Sequence, residues 1–251
     1  WWTLLAMAFP LIASWMYPKL VHVLLMPADL WCRSLEPKGT LPYIDVEDEN
    51  LTTMGVGVLE DFTWKDLLDA EACIRCSRCE DVCPAFNTDK ALSPKDLIQS
   101  MRSELEVRGP IVWKAKHDGA KRDDMGAYVT AEGEPYPFSD QQQVTLDRTL
   151  VGDAFNSQAL WDCTTCGACM AACPTLVEHT PKIVKMRTYQ VSMESAFPPE
   201  AQATFRNLEN NGNPWGLGWQ TRSKWAEELD VPTFAENPDA EYLYWPGCSG
   251  G

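Results

Sequence analysis

The stretch 73-CIRCSRCEDVCP-84 places four cysteines ahead of a proline with the spacing C-x2-C-x2-C-x3-C-P. The same spacing returns 90 residues later, as 163-CTTCGACMAACP-174. The two runs use eight of the ten cysteines in the 251-residue chain. A long spacing pattern that occurs twice predicts two related metal-binding loops, because thiolates at such spacings can surround one metal centre.

The C-x2-C-x2-C-x3-C-P spacing is that of bacterial ferredoxins. There, three closely spaced thiolates hold one 4Fe-4S cluster and the fourth reaches the other cluster. We therefore expect crossed ligand sets, in which each run supplies one cysteine to the cluster of the other. The predicted sets are Cys73, Cys76, Cys79 and Cys173 for the first cluster, and Cys163, Cys166, Cys169 and Cys83 for the second.

Three other interpretations of the cysteines are open from the residues alone. Zinc ribbons use two cysteine pairs in a closed tetrahedron, which suits runs of three plus one poorly. Disulfides are disfavoured if the domain lies in a reducing compartment. Two cubanes could also serve only to stabilise the fold, although adjacent clusters more often conduct electrons.

Helical signals surround both runs. Thr63 resembles an N-cap with an acidic residue three positions on, and Ser93-Pro94 opens a second helix that we expect to stop at Gly109. Thr180-Pro181 opens a third helix, and residues 199–211 form a fourth that ends at Gly212. Few alternating strand patterns occur. We therefore expect a mainly α chain, with an α-helical ferredoxin domain over residues 61–200.

The N-terminal 31 residues are strongly apolar and carry only two formal charges, Lys19 and Asp29. About 20 apolar residues suffice to cross a bilayer, so residues 1–31 are predicted to form a transmembrane helix. Basic residues cluster at its C-terminal end, which places that end in the cytoplasm. His22 lies within this stretch, either as an interfacial residue that reaches water or as a candidate ligand of a b-type haem.

Residues 32–60 contain several glycines and an acidic cluster, and they are expected to form a solvated linker. The whole chain has 36 acidic against 21 basic residues, a formal charge of −15, which disfavours nucleic acid as a partner. Charged segments at 114–124 and 132–140 indicate a solvated excursion between the runs. His117 belongs to that surface, whereas His179 is expected either to donate to a cluster sulfur or to bond the backbone.

Further motifs give the chain a family likeness. With the two cysteine runs, residues 61–69 (DFTWKDLLD), 160–167 (LWDCTTCG), 178–179 (EH), 211–216 (NGNPWG) and 244–248 (YWPGC) resemble heterodisulfide-reductase-like iron–sulfur oxidoreductases. The likeness covers residues 61–251. Residues 1–31, with the segment 17-YPKLVH-22, look like the last helix of the nitrate-reductase-gamma-like haem b domain that precedes the clusters in membrane-bound members.

The resemblance implies more than the cluster sites. His22 would match a haem b ligand, and residues 201–251 would form a connector and the start of an α/β cysteine-rich CCG module. Cys248 would be the first cysteine of that module, which in the family binds a further iron–sulfur centre or forms the reductase site. The other cysteines of the module are missing from this sequence, and 241-EYLYW-245 would be its opening strand.

Membrane-bound members of the family pass electrons from an electron-transfer flavoprotein to a quinone. The resemblance therefore implies an oxidoreductase at the cell membrane with a cytoplasmic cluster domain. Its partners would be a flavoprotein donor, a quinone and membrane lipid, and its route would run through two 4Fe-4S clusters towards haem b. The alternatives are the iron–sulfur subunit of a glycerol-3-phosphate, lactate or glycolate dehydrogenase, and a heterodisulfide reductase.

Overall fold

The computed structural model describes residues 1–14, 21–37, 40–41, 43–48, 51–123, 126–229 and 231–248. Within these ranges the chain is mainly helical, with one short antiparallel hairpin. The helices are α1 (Trp2–Ser14), α2 (Val21–Trp31), α3 (Trp64–Ala72), α4 (Arg78–Asp81), α5 (Pro94–His117), α6 (Asp140–Leu146), α7 (Ser157–Asp162), α8 (Ala168–Ala172), α9 (His179–Ser192) and α10 (Pro199–Asn211). The hairpin strands are β1 (Lys121–Arg122) and β2 (Tyr128–Val129), and short helical turns lie at Leu59–Asp61, Phe86–Thr88, Leu150–Ala154 and Trp219–Ala226.

The chain divides into two compact units, residues 1–195 and residues 196–251. In the first unit, α3 packs on α2 and α5, α4 packs on α8, and α7 packs on α9. The main core lies among α3, α5, α7 and α9. Its buried side chains are Val56, Leu59, Phe62, Ala70, Leu97, Ile98, Met101, Leu150, Phe155, Leu160, Val177, Ile183 and Met186. The cysteine runs therefore lie next to a single apolar core that both halves share.

The predicted helix starts at Thr63 and Ser93 are confirmed. The Thr63 side chain accepts from the Asp66 amide, and the Asp66 carboxylate accepts from the Thr63 amide at 3.1 Å, which forms a capping box. The Ser93 hydroxyl accepts from the Asp96 amide at 3.0 Å, and Pro94 occupies the first helical position. Both caps satisfy amides that have no partner within the helix.

The predicted stop at Gly109 is wrong, because α5 continues through Gly109 and Pro110 to His117. The continuation is amphipathic: Val112 and Ala115 are buried against Tyr128 of the hairpin. This packing compensates for a glycine and a proline that weaken an isolated helix. The segment between the runs, expected to be a solvated excursion, therefore contains a small apolar cluster of its own, although His117 is exposed as predicted.

The two later helices match their expected positions. The third begins at His179, one residue before Thr180-Pro181, and Pro181 lies in its first turn. The fourth spans Pro199–Asn211 and ends at Gly212, whose φ of 66° is the left-handed conformation that glycine adopts without strain. Local signals therefore located these helix ends correctly.

The prediction of a transmembrane helix over residues 1–31 is wrong. The structure has two short helices in this region, of 13 and 11 residues, which are about 20 Å and about 17 Å long against the roughly 30 Å of a hydrocarbon core. Within the described ranges, no helix combines the length and the apolar character needed to cross a bilayer. Instead α2 packs against α3, where Asp29 forms an ion pair with Lys65 at 2.8 Å.

The expected opening strand at residues 241–245 is also wrong. These residues adopt no regular structure, and Tyr242, Tyr244 and Trp245 are largely exposed. A strand needs a neighbouring strand to bond its backbone groups. In the described part of residues 196–251 no such neighbour is present.

Candidate metal centres

The two cysteine runs fold into loops with the same backbone conformation. Arg75 and Thr165, which are equivalent in the repeat, have φ values of 56° and 54°. Ser77 and Gly167, also equivalent, have φ values of 63° and 73° and immediately precede α4 and α8. Left-handed residues at two alternate positions curl each loop tightly. The repeat in the sequence is therefore a repeat in the structure.

Each loop lies at a small cavity lined by four cysteines. One cavity encloses about 290 Å³ and the other about 340 Å³, part of each open to solvent. Their cysteine linings are Cys73, Cys76, Cys79 and Cys173 for the first, and Cys83, Cys163, Cys166 and Cys169 for the second. The structure thus brings together the two crossed sets that the spacing predicted, and we call them the first and second quartets.

The crossing arises because α4 packs directly on α8. Cys79 lies on α4 and Cys169 on α8, close enough for one thiolate to affect the pKa of the other. The last cysteine of each run, Cys83 or Cys173, follows its short helix and reaches the opposite loop. The two cavities therefore lie side by side, and each joins the two halves of the repeat.

Burial raises the pKa of two thiols in each quartet, Cys73 and Cys79 in the first and Cys163 and Cys169 in the second. Burial raises the pKa of Cys79 to about 12, with a further rise from the neighbouring Cys73 and Cys173. Burial and the nearby Cys163 likewise raise the pKa of Cys169 to about 11. Iron offsets this penalty because it deprotonates a coordinating thiol. Four convergent thiols around one cavity fit a cluster that takes four thiolate ligands.

Polar side chains also reach the first quartet. The Gln99 amide nitrogen lies 3.3 Å from the Cys73 sulfur, and the Thr175 hydroxyl lies 3.2 Å from the Cys173 sulfur. No sequence signal singled out either residue: Gln99 lies on α5, whereas Cys73 lies in the loop that follows α3. A contact across 26 residues depends on how α5 packs.

His179 lines the first cavity. Of the two expectations for its ring, the structure shows the hydrogen bond to the backbone. Its Nδ1 lies 3.0 Å from the Val177 carbonyl oxygen, which can only accept, so Nδ1 carries the proton. Burial, together with the nearby Lys182 ammonium, lowers the pKa of His179 to about 4. The imidazole is therefore neutral at pH 7, and its Nε2 has no proton to donate to a cluster sulfur.

Arg187 of α9 is the main polar residue near the second quartet. Its guanidinium donates to the carbonyl oxygens of Leu160, Trp161 and Cys163 and lies 5.3 Å from the Trp161 ring centroid. These carbonyls are at the end of α7, where they lack partners within the helix. One arginine thus fixes the point at which α7 leads into the second cysteine loop.

A buried ion-pair network connects α3 to α9 beside the first quartet. Lys182 is completely buried and bonds Asp69, the Glu178 carbonyl oxygen at 3.0 Å, and Asp66 at 3.4 Å. Burial alone would raise the pKa of Asp69, but the ammonium groups of Lys182 and Lys65 hold it below its usual value. The sequence did not indicate this network, since charged residues are usually exposed.

Two further candidate residues lie outside the quartets. His22 is half-buried on α2. Whether His22 binds haem stays a prediction. Within the ranges that the structure describes, no three His, Cys, Asp or Glu side chains are close enough to share one metal ion. Cys248 is half-buried in the second unit, with its sulfur 3.4 Å from the Gly212 carbonyl oxygen, and its role in a CCG module likewise stays a prediction.

Comparison with known proteins agrees with this geometry. Residues 65–174 match the family model described as a 4Fe-4S dicluster domain. The chain is 39% identical to the "EtfAB:quinone oxidoreductase" of Syntrophomonas wolfei, over 99% of this chain and 34% of the relative. It is 34% identical to the "Probable iron-sulfur-binding oxidoreductase FadF" of Bacillus subtilis, over 100% of this chain and 37% of the relative. It is 35% identical to a "Probable membrane-anchored ferredoxin" of Chromohalobacter salexigens, over 82% and 29%.

The chain therefore spans about a third of the length of the curated relatives that it matches. No solved structure matches it. The names of the first two relatives agree with the expectation of an iron–sulfur oxidoreductase, and the expectation of two 4Fe-4S clusters is confirmed. Residues 65–174 form a 4Fe-4S dicluster domain, with two 4Fe-4S clusters as its cofactors.

Proposed function

We propose that this chain receives electrons from a soluble flavoprotein of the electron-transfer flavoprotein type and delivers them towards a quinone at the cell membrane. The first quartet would hold one 4Fe-4S cluster and the second quartet the other. Such clusters accept and release single electrons. The chain's own residues hold the two sites in place and keep them partly screened from water.

The observation that carries the proposal is that the two cavities are adjacent. Cys79 of the first quartet lies close to Cys169 of the second, and the neighbouring residues His179 and Thr180 line different cavities. A single cluster would suffice to stabilise a fold, whereas two neighbouring clusters suit stepwise electron transfer. The arrangement favours a conducting role over a purely structural one.

The chain's residues also keep the distance between the sites constant. The Lys182 network fixes α9 to α3, and the crossed Cys83 and Cys173 connect the two loops. A rigid framework limits the structural change that accompanies each electron. This rigidity is what an electron-transfer domain requires.

The donor and the acceptor are proposed from the name of the Syntrophomonas relative and from the family resemblance of the sequence. A dehydrogenase subunit for glycerol 3-phosphate, lactate or glycolate would use the same cluster geometry with a different flavin partner. A heterodisulfide reductase would also share it. The flavoprotein that reduces the clusters distinguishes these functions.

The exposed apolar surface of α1 supports location at the membrane. Trp2, Met7 and Phe9 are each at least two-thirds exposed, and the helix has no charged side chain. An uncharged apolar surface of this kind favours contact with lipid. We expect the protein to bind vesicles, and we expect a Met7→Glu and Phe9→Glu double variant to lose that binding in a sedimentation assay.

The decisive experiment mixes anaerobically prepared protein with reduced electron-transfer flavoprotein, and in parallel with a reduced dehydrogenase flavoprotein. Electron paramagnetic resonance (EPR) spectroscopy then follows the clusters before and after a water-soluble quinone is added. We expect the electron-transfer flavoprotein to reduce both clusters and the quinone to reoxidise them. Reduction by the other flavoprotein alone would refute the proposed donor, and clusters that no flavoprotein reduces would refute an electron-transfer role.

A further inference from the structure

The amide of Gln99 contacts the first quartet in a way that the repeat does not reproduce. Its Nε2 lies 3.3 Å from the Cys73 sulfur, while its Oε1 is buried without a hydrogen-bond partner. A thiolate sulfur only accepts hydrogen bonds, so the nitrogen is the end of the amide that fits there. The Gln99 amide therefore acts as a donor to Cys73.

Fold stability does not explain a glutamine at this position. Its neighbours Ile98 and Met101 are completely buried and hold α5 in the core. A buried carbonyl oxygen without a partner destabilises the folded state, and a leucine of similar size would avoid that cost. The contact with sulfur is the one favourable interaction that the side-chain amide makes in the described structure.

The repeat shows that this donor is specific to one quartet. Counted from the first residue of its helix, Gln99 of α5 corresponds to Val184 of α9, and the 90-residue repeat of the cysteine runs places Ala85 where Thr175 has its counterpart. Neither Val184 nor Ala85 has a polar side-chain group. At the second quartet, the contact to sulfur comes from the backbone, where the Thr165 amide lies 3.4 Å from the Cys163 sulfur.

We infer that Gln99, assisted by Thr175, is a positioning residue. Its amide raises the reduction potential of the first-quartet cluster above the value that the cluster has when the amide is absent. A hydrogen bond to sulfur stabilises the more negative, reduced form of a cluster. The two clusters are consequently inequivalent although their loops are nearly identical. This inference rests on the proposed assignment of Cys73 as a cluster ligand.

The test is a redox titration of the protein with both clusters, followed by EPR spectroscopy and poised by small mediator dyes. Neither flavoprotein nor quinone is present, so a wrong donor or acceptor leaves the outcome unaffected. A Cys73→Ser variant first identifies which signal belongs to the first quartet. We expect Gln99→Leu to make reduction of that cluster about tenfold less favourable, a downward shift of about 59 mV for one electron.

The control is Tyr189→Phe, at a residue of α9 that packs over Gly57 and lines neither cavity, and it should leave both potentials unchanged. If Gln99→Leu prevents assembly of the cluster, Thr175→Val should shift the same signal in the same direction. Unchanged potentials in the assembled Gln99→Leu variant would overturn the inference. So would a shift confined to the cluster that Cys73→Ser leaves intact.

Discussion

Replacing Lys182 by methionine tests whether the buried network holds the electron-transfer domain together. Lys182 is completely buried, and methionine matches its length without its charge. The change leaves the buried carboxylate of Asp69 without the ammonium that pairs with it most closely. It also removes the contact with the Glu178 carbonyl oxygen at 3.0 Å.

The expected loss of stability is large because the completely buried Asp69 keeps only Lys65, whose ammonium it shares with Asp29. Removal of one partner of a buried ion pair costs about 3–5 kcal/mol. In a unit of this size, each kcal/mol lowers the melting temperature by about 2–4 °C, so we expect a fall of about 6–20 °C. Lys185→Met is the matched control: Lys185 is partly exposed, and its partner Asp66 keeps Lys182, so about 1 kcal/mol is expected.

The assay is anaerobic thermal unfolding followed by far-ultraviolet circular dichroism, at one scan rate for all variants because loss of the clusters makes unfolding irreversible. A Lys182→Met and Asp69→Leu double variant should recover much of the loss, since it removes the buried carboxylate together with its main partner and leaves Lys65 paired with Asp29. A melting temperature of Lys182→Met within 2 °C of the parent protein would refute the reasoning. So would a double variant less stable than the single one.

Three further predictions concern other parts of the first unit. Cys83→Ser should alter the EPR signal of the second cluster and leave that of the first cluster comparatively intact. Loss of the first cluster alone would refute the crossed ligand sets. The control is Cys32→Ser, at an exposed cysteine outside both quartets. Burial, only partly offset by Lys65, raises the pKa of Asp29 to about 6, so its protonated form contributes stability below about pH 4 that is lost as the pH rises through about 6. The melting temperature of Asp29→Asn relative to that of the parent protein should therefore be higher at pH 7 than at pH 4.5. An equal difference at the two pH values would count against the raised pKa. Thr63→Ala removes an N-cap and should cost about 0.5–2 kcal/mol by thermal unfolding, whereas Thr63→Ser should stay close to the parent.

Local sequence signals predicted much of the cluster site. The spacing of the cysteines is covalent, and loops with equal spacing adopted equal backbone conformations at Arg75 and Thr165. Caps act within four residues, so the starts at Thr63 and Ser93 and the end at Gly212 were predicted correctly. These features depend on residues that are only a few positions apart in the sequence.

Local signals failed where distant packing decides the outcome. Gly109 is typical of a helix end, but α5 continues past it because Val112 is buried against Tyr128. The apolar composition of residues 1–31 was interpreted as one membrane span, whereas the described helices are short and α2 packs on α3. Composition measures how apolar a segment is and contains no information about where its helices end.

The sequence by itself determined which cysteines form each repeat and the class of cofactor that they bind, because both depend on residue type and short spacing. Only the tertiary structure decided what surrounds them. Lys182 meets Asp69 across 113 residues, and Gln99 of α5 meets Cys73 of the first cysteine loop across 26 residues. Such contacts arise from helix packing, which sums many weak interactions over the whole unit, and no short stretch of sequence contains them.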